Sequence, residues 1–502
     1  LAAKAVMLQG TGSHVGKSVV TAALCRLYAR AGYRVAPFKA QNMSNNSFVT
    51  AAGGEMGRAQ VFQAQAAGVE PTVDMNPILL KPDADTRAQV VRLGQPVDSM
   101  DVRGYHDYQH VAWSAITEAY ERLAAEYELI VLEGAGSPAE INLRDRDIVN
   151  MKMAAYANAP VILIGDIERG GVFASLVGTM TLLEPDERQR VRAFLINKFR
   201  GDASLLDAGL EDLTGRTDVP VLGVLPYVFG LPVDEEDAVV LQNGAGGDRA
   251  GTLEIGVIHL PHVSNATDFQ PLAAEIDVAV RYIESERQFG HPDLVIIPGT
   301  KSTVADFEWM RREGLADRVA EHQRAGGWLI GICGGYQILG ERILDPSGVE
   351  SNRRAQPGMG LLPVVTTFEA RKRLVRVEGR SLLPGIDAPV RGYEIHQGRT
   401  TTGDLPPAFR LTRQFDEAVD QVDGSADGLA CFGTYLHGLF DHGAFRRSYL
   451  NALRSKKGLA PLPVHAYDTR RKDFDQLADW LQDNIDADVL DSIVKLPLQR
   501  RA

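Results

Sequence analysis

The sequence predicts two successive α/β domains, and three observations carry that prediction. In the first half, apolar strand-like runs at 6–8, 34–38, 129–132, 160–164 and 193–196 are interleaved with helical spacing such as that of 113–125, the rhythm of a doubly wound parallel sheet. Residues 242–251 are poor in apolar side chains and rich in glycine, which reads as a linker. Beyond them the rhythm restarts with runs at 253–260, 294–297 and 328–332. The chain therefore divides into 1–240, a linker at 241–251, 252–458 and a tail at 459–502. In that tail Phe474, Leu477, Ala478, Leu481 and Ile485 recur at helical spacing and predict an amphipathic helix packed back on a domain.

Bulk properties bound the function. A chain of 502 residues, 45% hydrophobic and 24% charged, has ample length for two cores. Its net charge of -12 disfavours a nucleic-acid partner but leaves room for an anionic substrate met by local positive charge. No apolar run approaches the ~20 residues of a membrane span. The first residues lack the basic flank and apolar stretch of a signal peptide, so the expected location is cytoplasmic. Three cysteines form no disulfide framework and lack zinc-site spacing; Cys25 and Cys431 read as core residues.

The first strand runs into Gly10-Thr11-Gly12-Ser13-His14-Val15-Gly16-Lys17-Ser18, followed by a helix-like stretch holding Val20, Leu24 and Leu27. Such a loop wraps backbone N–H groups round phosphate oxygens at a helix N-terminus; Lys17 then neutralises the β and γ phosphates, and the Ser18 hydroxyl serves a magnesium ion. A strict P-loop has glycine where Thr11 stands. Gly10 lies one residue earlier, so the loop is a lengthened variant.

Other strand ends add polar groups. The run at 129–132 ends in Glu133 and then Gly134-Ala135-Gly136, where a carboxylate faces phosphates and holds magnesium. Asp166 ends the run at 161–165 and reads equally as a helix cap. Arg144, Asp145, Arg146 and Asp147 alternate in sign, which is ordinarily a solvated face; their position just after the Glu133 loop turns the expectation towards substrate contact, with the arginines pairing carboxylates. Gln41 and Asn42 open an amide-rich stretch at 39–46, at the end of the sheet where ligands of α/β folds collect.

The second half carries a different chemistry. Trp328-Leu329-Ile330 leads into Gly331-Ile332-Cys333-Gly334-Gly335, and Tyr336-Gln337-Ile338-Leu339 leads away with helical spacing. A strand that turns sharply into a helix through small residues presents the side chain at the turn, the geometry of a nucleophile elbow with cysteine as nucleophile. His437, in Gly433-Thr434-Tyr435-Leu436-His437-Gly438, is the candidate base.

These motifs, with 38–43, 75–82, 133–147 and 392–400, make nearly the whole chain resemble the cobyric acid synthases, glutamine-dependent amidotransferases of cobalamin biosynthesis. The resemblance implies a P-loop, dethiobiotin-synthetase-like domain followed by a class I glutamine amidotransferase domain. Cys333 would attack the glutamine amide, with His437 relaying the proton and the backbone N–H groups of Gly299 and Gly334 forming the oxyanion hole. ATP with Mg2+ would activate a carboxylate of a corrinoid substrate as an acyl phosphate, which ammonia converts to an amide. In the family this amidates the b, d, e and g side chains of adenosylcobyrinic acid a,c-diamide. The resemblance also makes Asn197 an adenine contact.

The chain departs from the wider class I pattern in one place. The glutamate usual two residues after the histidine is replaced by Leu439, which leaves Glu394 and His396 as the nearest polar candidates to orient His437. The rival readings are the sister enzyme that makes the a,c-diamide, a partitioning-type regulatory ATPase with a silent amidotransferase domain, and an ammonia-using ligase with a dead glutaminase. The loop 135–138 speaks against the first, and Gly12, where partitioning ATPases carry lysine, against the second.

Overall fold

A computed structural model describes residues 3–84, 86–227, 252–351, 353–464 and 470–498. The linker read at 241–251 lies outside these residues. The chain forms two compact units: Leu1–Ser44, Met56–Val233 and Thr469–Ala502 make one, and Asn45–Glu55 with Asp234–Asp468 make the other. Neither unit is a single run of chain. A segment from the first half belongs to the second unit, and the tail divides at Thr469.

The first unit is built on a six-stranded parallel sheet in the order Val221–Pro226, Val191–Phe199, Val161–Asp166, Lys4–Gly10, Leu129–Glu133, Val35–Phe38. Strands covered on both faces need continuous apolar sequence, and Leu129–Glu133 is buried at every position. Chain order reverses on either side of Lys4–Gly10, so the loop after this strand opens at the topological switch point, where ligands of such sheets bind. The edge strand Val221–Pro226 went unread because only part of it is buried. So did a four-stranded sheet, Gln41–Met43, Ile78–Ala84, Arg87–Arg92 and Gln95–Asp101, in which Gln41 and Asn42 are strand residues rather than loop.

The tail helix is Arg470–Gln482, and Phe474, Leu477, Ala478 and Leu481 join the core around Val6, Leu24 and Leu27. Ion pairs Arg26–Asp475 at 2.8 Å and Arg30–Asp479 at 2.5 Å flank this seam. Ile485 does not extend the helix. It bridges Gly223 instead, because Asp486 accepts the N–H groups of Asp488 and Val489 and starts a new helix, Ala487–Val494.

The second unit holds another six-stranded sheet: Val278–Ile283, Leu253–Ile258, Leu294–Ile297, Trp328–Ile332, Cys431–Thr434 and Ser425–Asp427, parallel except at the last strand. Trp328, Phe432, Phe445 and Tyr449 pack ring against ring in its core. A largely antiparallel sheet led by the pair Val364–Ser381 and Pro389–Thr402 carries Tyr393 and Ile395 to the site below. It was not anticipated, because its strands mix buried and exposed positions without long apolar runs.

Candidate functional site

In the first unit the loop at 10–18 leads into the helix Lys17–Arg30, and Gly16 reaches it with φ 94°, a left-handed conformation suited to glycine. Lys17 Nζ folds back on the loop to donate to the Gly12 carbonyl at 2.8 Å and reaches the Gly136 carbonyl, in the loop after Glu133, at 3.1 Å. Ser18 Oγ donates to Glu133 Oε1 at 2.9 Å. The same oxygen takes Lys39 Nζ at 2.9 Å, while Gln63 Nε2 donates to Glu133 Oε2 at 2.5 Å. Burial works against ionisation of Glu133, but the charge and hydrogen bond of Lys39, the Gln63 amide and the charge of Lys17 outweigh it. The carboxyl is held below its ordinary range. A hydroxyl and a carboxylate are hard oxygen donors, and magnesium takes few protein ligands beside phosphate and water, so Ser18 and Glu133 fit that ion. Among the described residues no cluster of three or more His, Cys, Asp or Glu offers a metal cage.

The remaining predicted contacts lie in different surroundings. Asn197 Nδ2, on the strand Val191–Phe199, donates to the Val15 carbonyl at 2.9 Å and braces the phosphate loop. Asp166 pairs with Lys198 at 3.0 Å. Arg144, Asp145 and Arg146 lie on the short 3-10 helix Ile141–Arg146, which has no buried residue, and Arg144 pairs with Glu184 at 2.5 Å. Asp147 caps the following turn, its carboxylate accepting the backbone N–H groups of Val149, Asn150 and Met151. Asn42 is buried and donates to Gln60 at 3.1 Å, and Gln41 accepts from the Tyr105 hydroxyl.

In the second unit Cys333 stands between the strand Trp328–Ile332 and the helix Gly334–Leu339 with φ 52° and ψ -108°, a conformation rare for a residue with a side chain. Its N–H donates to the Thr434 carbonyl at 2.8 Å, tying the turn to the adjacent strand. Gly335 is required because a Cβ there would run into the Ile297 carbonyl. Gly334 is the first helical residue, so its N–H has no partner within the helix. The elbow read from sequence is thus a strained, braced turn.

His437 is buried beside it and feels the Cys333 thiol electrostatically, while Cys333 Sγ itself donates to the Ile395 carbonyl at 3.6 Å. Its Nδ1 lies 2.7 Å from Asp268 Oδ2, and Asp268 Oδ1 accepts the Gly438 N–H at 2.9 Å. Burial alone would push the imidazole towards neutrality. The charge and hydrogen bond of the Asp268 carboxylate, with a smaller part from Cys333, carry it up to about 10. His437 Cε1 lies 2.8 Å from where a Cβ on Gly299 would stand, which places the loop at 298–302 against the imidazole.

Asp268 is the orienter that the sequence reading missed. Glu394 is paired with Arg373 and lies 3.3 Å from His396 Nε2, and His396 stacks on Tyr435 at 3.7 Å, so neither candidate reaches His437. Asp268 stands 169 residues before its partner, on the 3-10 helix Ala266–Phe269, and no local motif marks it. Cys25 and Cys431 are buried, as expected of core residues.

A Cys–His–Asp line on one α/β sheet and a phosphate loop facing a strand-end carboxylate on another define a glutamine-dependent, nucleotide-using amidating enzyme. Residues 254–445 match the CobB/CobQ-like glutamine amidotransferase domain, and residues 6–237 match the CobQ/CobB/MinD/ParA nucleotide binding domain. Cobyric acid synthases from Klebsiella pneumoniae subsp. pneumoniae, Sorangium cellulosum and Dehalococcoides mccartyi strain CBDB1 are 52%, 50% and 47% identical to this chain. The alignments cover 98%, 99% and 98% of this chain and 98%, 99% and 99% of those proteins. The chain belongs to the cobyric acid synthase family, a glutamine-dependent ligase family of cobalamin biosynthesis. Among the described residues no helix is long and apolar enough to cross a membrane.

Proposed function

We propose that this chain amidates the b, d, e and g carboxylates of adenosylcobyrinic acid a,c-diamide, using ATP and ammonia drawn from glutamine, to give cobyric acid. The observation that carries the reading is the buried Asp268–His437–Cys333 line in a chain that also holds Lys17, Ser18 and Glu133 at a phosphate loop.

The Cys333 thiolate attacks the glutamine side-chain carbonyl, and the oxyanion is met by the N–H groups of Gly334 and Gly299. As the tetrahedral intermediate collapses, the imidazolium of His437, held by Asp268, protonates the departing nitrogen, and ammonia leaves. His437 then takes a proton from the water that cleaves the thioester, releasing glutamate and regenerating the thiolate.

At the other site a substrate carboxylate oxygen attacks the γ-phosphorus of ATP, and ADP departs. Ammonia attacks the resulting acyl phosphate, phosphate leaves, and the amide remains. Phosphorylation is needed because a bare carboxylate has no leaving group. Lys17 and the N–H groups of Gly12, Ser13, Val15 and Gly16 hold the phosphates, while Gly10 and Thr11 shape the start of the loop, the Thr11 N–H being bonded to the Ile164 carbonyl at 2.9 Å. Ser18 and Glu133 would hold magnesium, which supplies charge neutralisation at the transferring phosphoryl group. Asn197 serves the adenine edge. Gln41, Arg144, Asp145 and Arg146 are proposed contacts of the corrinoid, the arginines serving its carboxylates.

The test is a mass spectrum of the a,c-diamide incubated with the protein, ATP, magnesium and glutamine. A ladder of carboxylate-to-amide steps ending at cobyric acid is expected. No mass change on this substrate, with amidation of cobyrinic acid itself at two positions, would transfer the assignment to the sister enzyme.

A further inference from the structure

The segment Asn45–Glu55 comes from the first half of the sequence but belongs to the second unit, and its contacts there converge on the catalytic pair. Asn46 Oδ1 accepts the Ala266 N–H at 2.9 Å, and the Ser47 N–H donates to Asn265 Oδ1 at 2.8 Å. Asn265 sits at φ 53° and ψ 44° ahead of the 3-10 helix Ala266–Phe269, and its carbonyl accepts the Asp268 N–H at 2.9 Å. Two hydrogen bonds from 46–47 therefore clamp the turn that aims Asp268 at His437.

The next residue supports the imidazole from another side. The Phe48 ring meets Tyr393 edge-on at 4.9 Å. Tyr393 lies parallel to the His437 ring at 5.6 Å and exchanges two backbone hydrogen bonds with it, of 2.9 and 3.1 Å. The segment is itself anchored: Ser47 Oγ donates to Glu55 Oε1 at 2.8 Å, and Glu55 Oε2 forms a buried ion pair with Lys372 at 2.6 Å.

We infer that Asn46, Ser47 and Phe48 are positioning residues for the glutaminase chemistry, holding Asp268 and His437 in line while touching neither substrate. The chain leads into this segment from the strand Gln41–Met43 and out of it to the helix Arg58–Ala67, both in the first unit. The amidotransferase match at 254–445 does not include it. Alignment of the glutaminase site thus depends on residues that the synthetase half of the sequence supplies. The inference rests on the Cys333–His437 reading above.

The test measures glutamine hydrolysis by the full chain carrying Asn46→Ala, Asn265→Gly, Phe48→Ala or Phe48→Tyr. Asn265→Gly keeps the left-handed backbone while removing the amide, so it reads the clamp if Asn46→Ala fails to fold. The first three variants should lower kcat on the order of tenfold with KM for glutamine unchanged, as misaligned catalytic groups do. Phe48→Tyr, which keeps the ring against Tyr393, should retain the wild-type kcat. Wild-type kcat in both Asn46→Ala and Asn265→Gly, or a rise in KM alone, would overturn the inference. Cys333→Ala run alongside keeps the two questions apart: glutamine hydrolysis surviving in that variant sinks the catalytic reading itself.

Discussion

Replacing Asp268 with Asn tests the charge at the centre of the glutaminase site. Asp268 and His437 are 3% and 1% exposed at their side chains, and the two carboxylate oxygens serve His437 Nδ1 and the Gly438 N–H separately. An asparagine has one acceptor oxygen, so one of these donors must face an N–H of the amide, costing about 1–3 kcal/mol. The charge effect is larger. His437 is carried from its ordinary 6.5 up to about 10 in the folded protein. Because the folded value is the higher one, the stabilisation is fully present below the unfolded value and is lost as pH rises through about 10. The gap amounts to about 4 kcal/mol near neutral pH and about 1 kcal/mol at about pH 9.5. Loss of one partner from a buried ion pair independently suggests about 3–5 kcal/mol. Guanidinium chloride unfolding, followed by tryptophan fluorescence, should show Asp268→Asn less stable than wild type by several kcal/mol near neutrality, with the difference shrinking as the buffer becomes alkaline. Glutamine hydrolysis should fall about 10²- to 10⁴-fold, the range of a positioned acid–base group. A wild-type kcat, or a stability difference that widens with pH, would refute the reasoning.

Four further outcomes are expected. Cys333→Ala should abolish glutamine use and spare synthesis driven by ammonium salts; equal loss of both activities in a coupled ATP assay would count against separate sites. Lys17→Ala should remove synthesis from either nitrogen source, since its ammonium closes on the Gly12 carbonyl of the phosphate loop and the Gly136 carbonyl of the loop after Glu133, and retained ammonia-driven turnover would refute the phosphate role. Glu133→Gln leaves the Lys39 ammonium, 4% exposed, without its carboxylate, so it should lose about 3–5 kcal/mol at pH 7 together with synthesis. As the folded Glu133 titrates below its ordinary 4.5, that stability is present above this value and is lost in the wild type as pH falls through the folded one; acid titration of both proteins checks it. Leu477→Ala, in the seam between the tail helix and Lys17–Arg30, should cost about 2–5 kcal/mol by thermal unfolding of the first unit.

How much of this could be read in advance depended on the range of the interaction concerned. The phosphate loop and the Cys333 elbow are each a strand, a small-residue turn and a helix start, contiguous in the chain. Backbone sterics within a few residues specify such units, so composition and spacing announce them. The tail helix was legible through Phe474, Leu477, Ala478 and Leu481 for the same reason, but its end was not. Whether Ile485 continued a helix or crossed to Gly223 depended on a strand more than two hundred residues earlier.

The sequence by itself determined the order of elements, the two glycine-rich turns and the identity of the groups they present. Only the tertiary structure decided which groups serve them. Lys39 reaches Glu133 across 94 residues because the strands Val35–Phe38 and Leu129–Glu133 end side by side, and the 3-10 helix Ala266–Phe269 brings Asp268 to His437 across 169. The same folding brings Asn46 to Ala266 across 220 residues. A hydrogen bond depends on distance in space, and the order in which strands assemble sets that distance, which residue spacing alone does not encode.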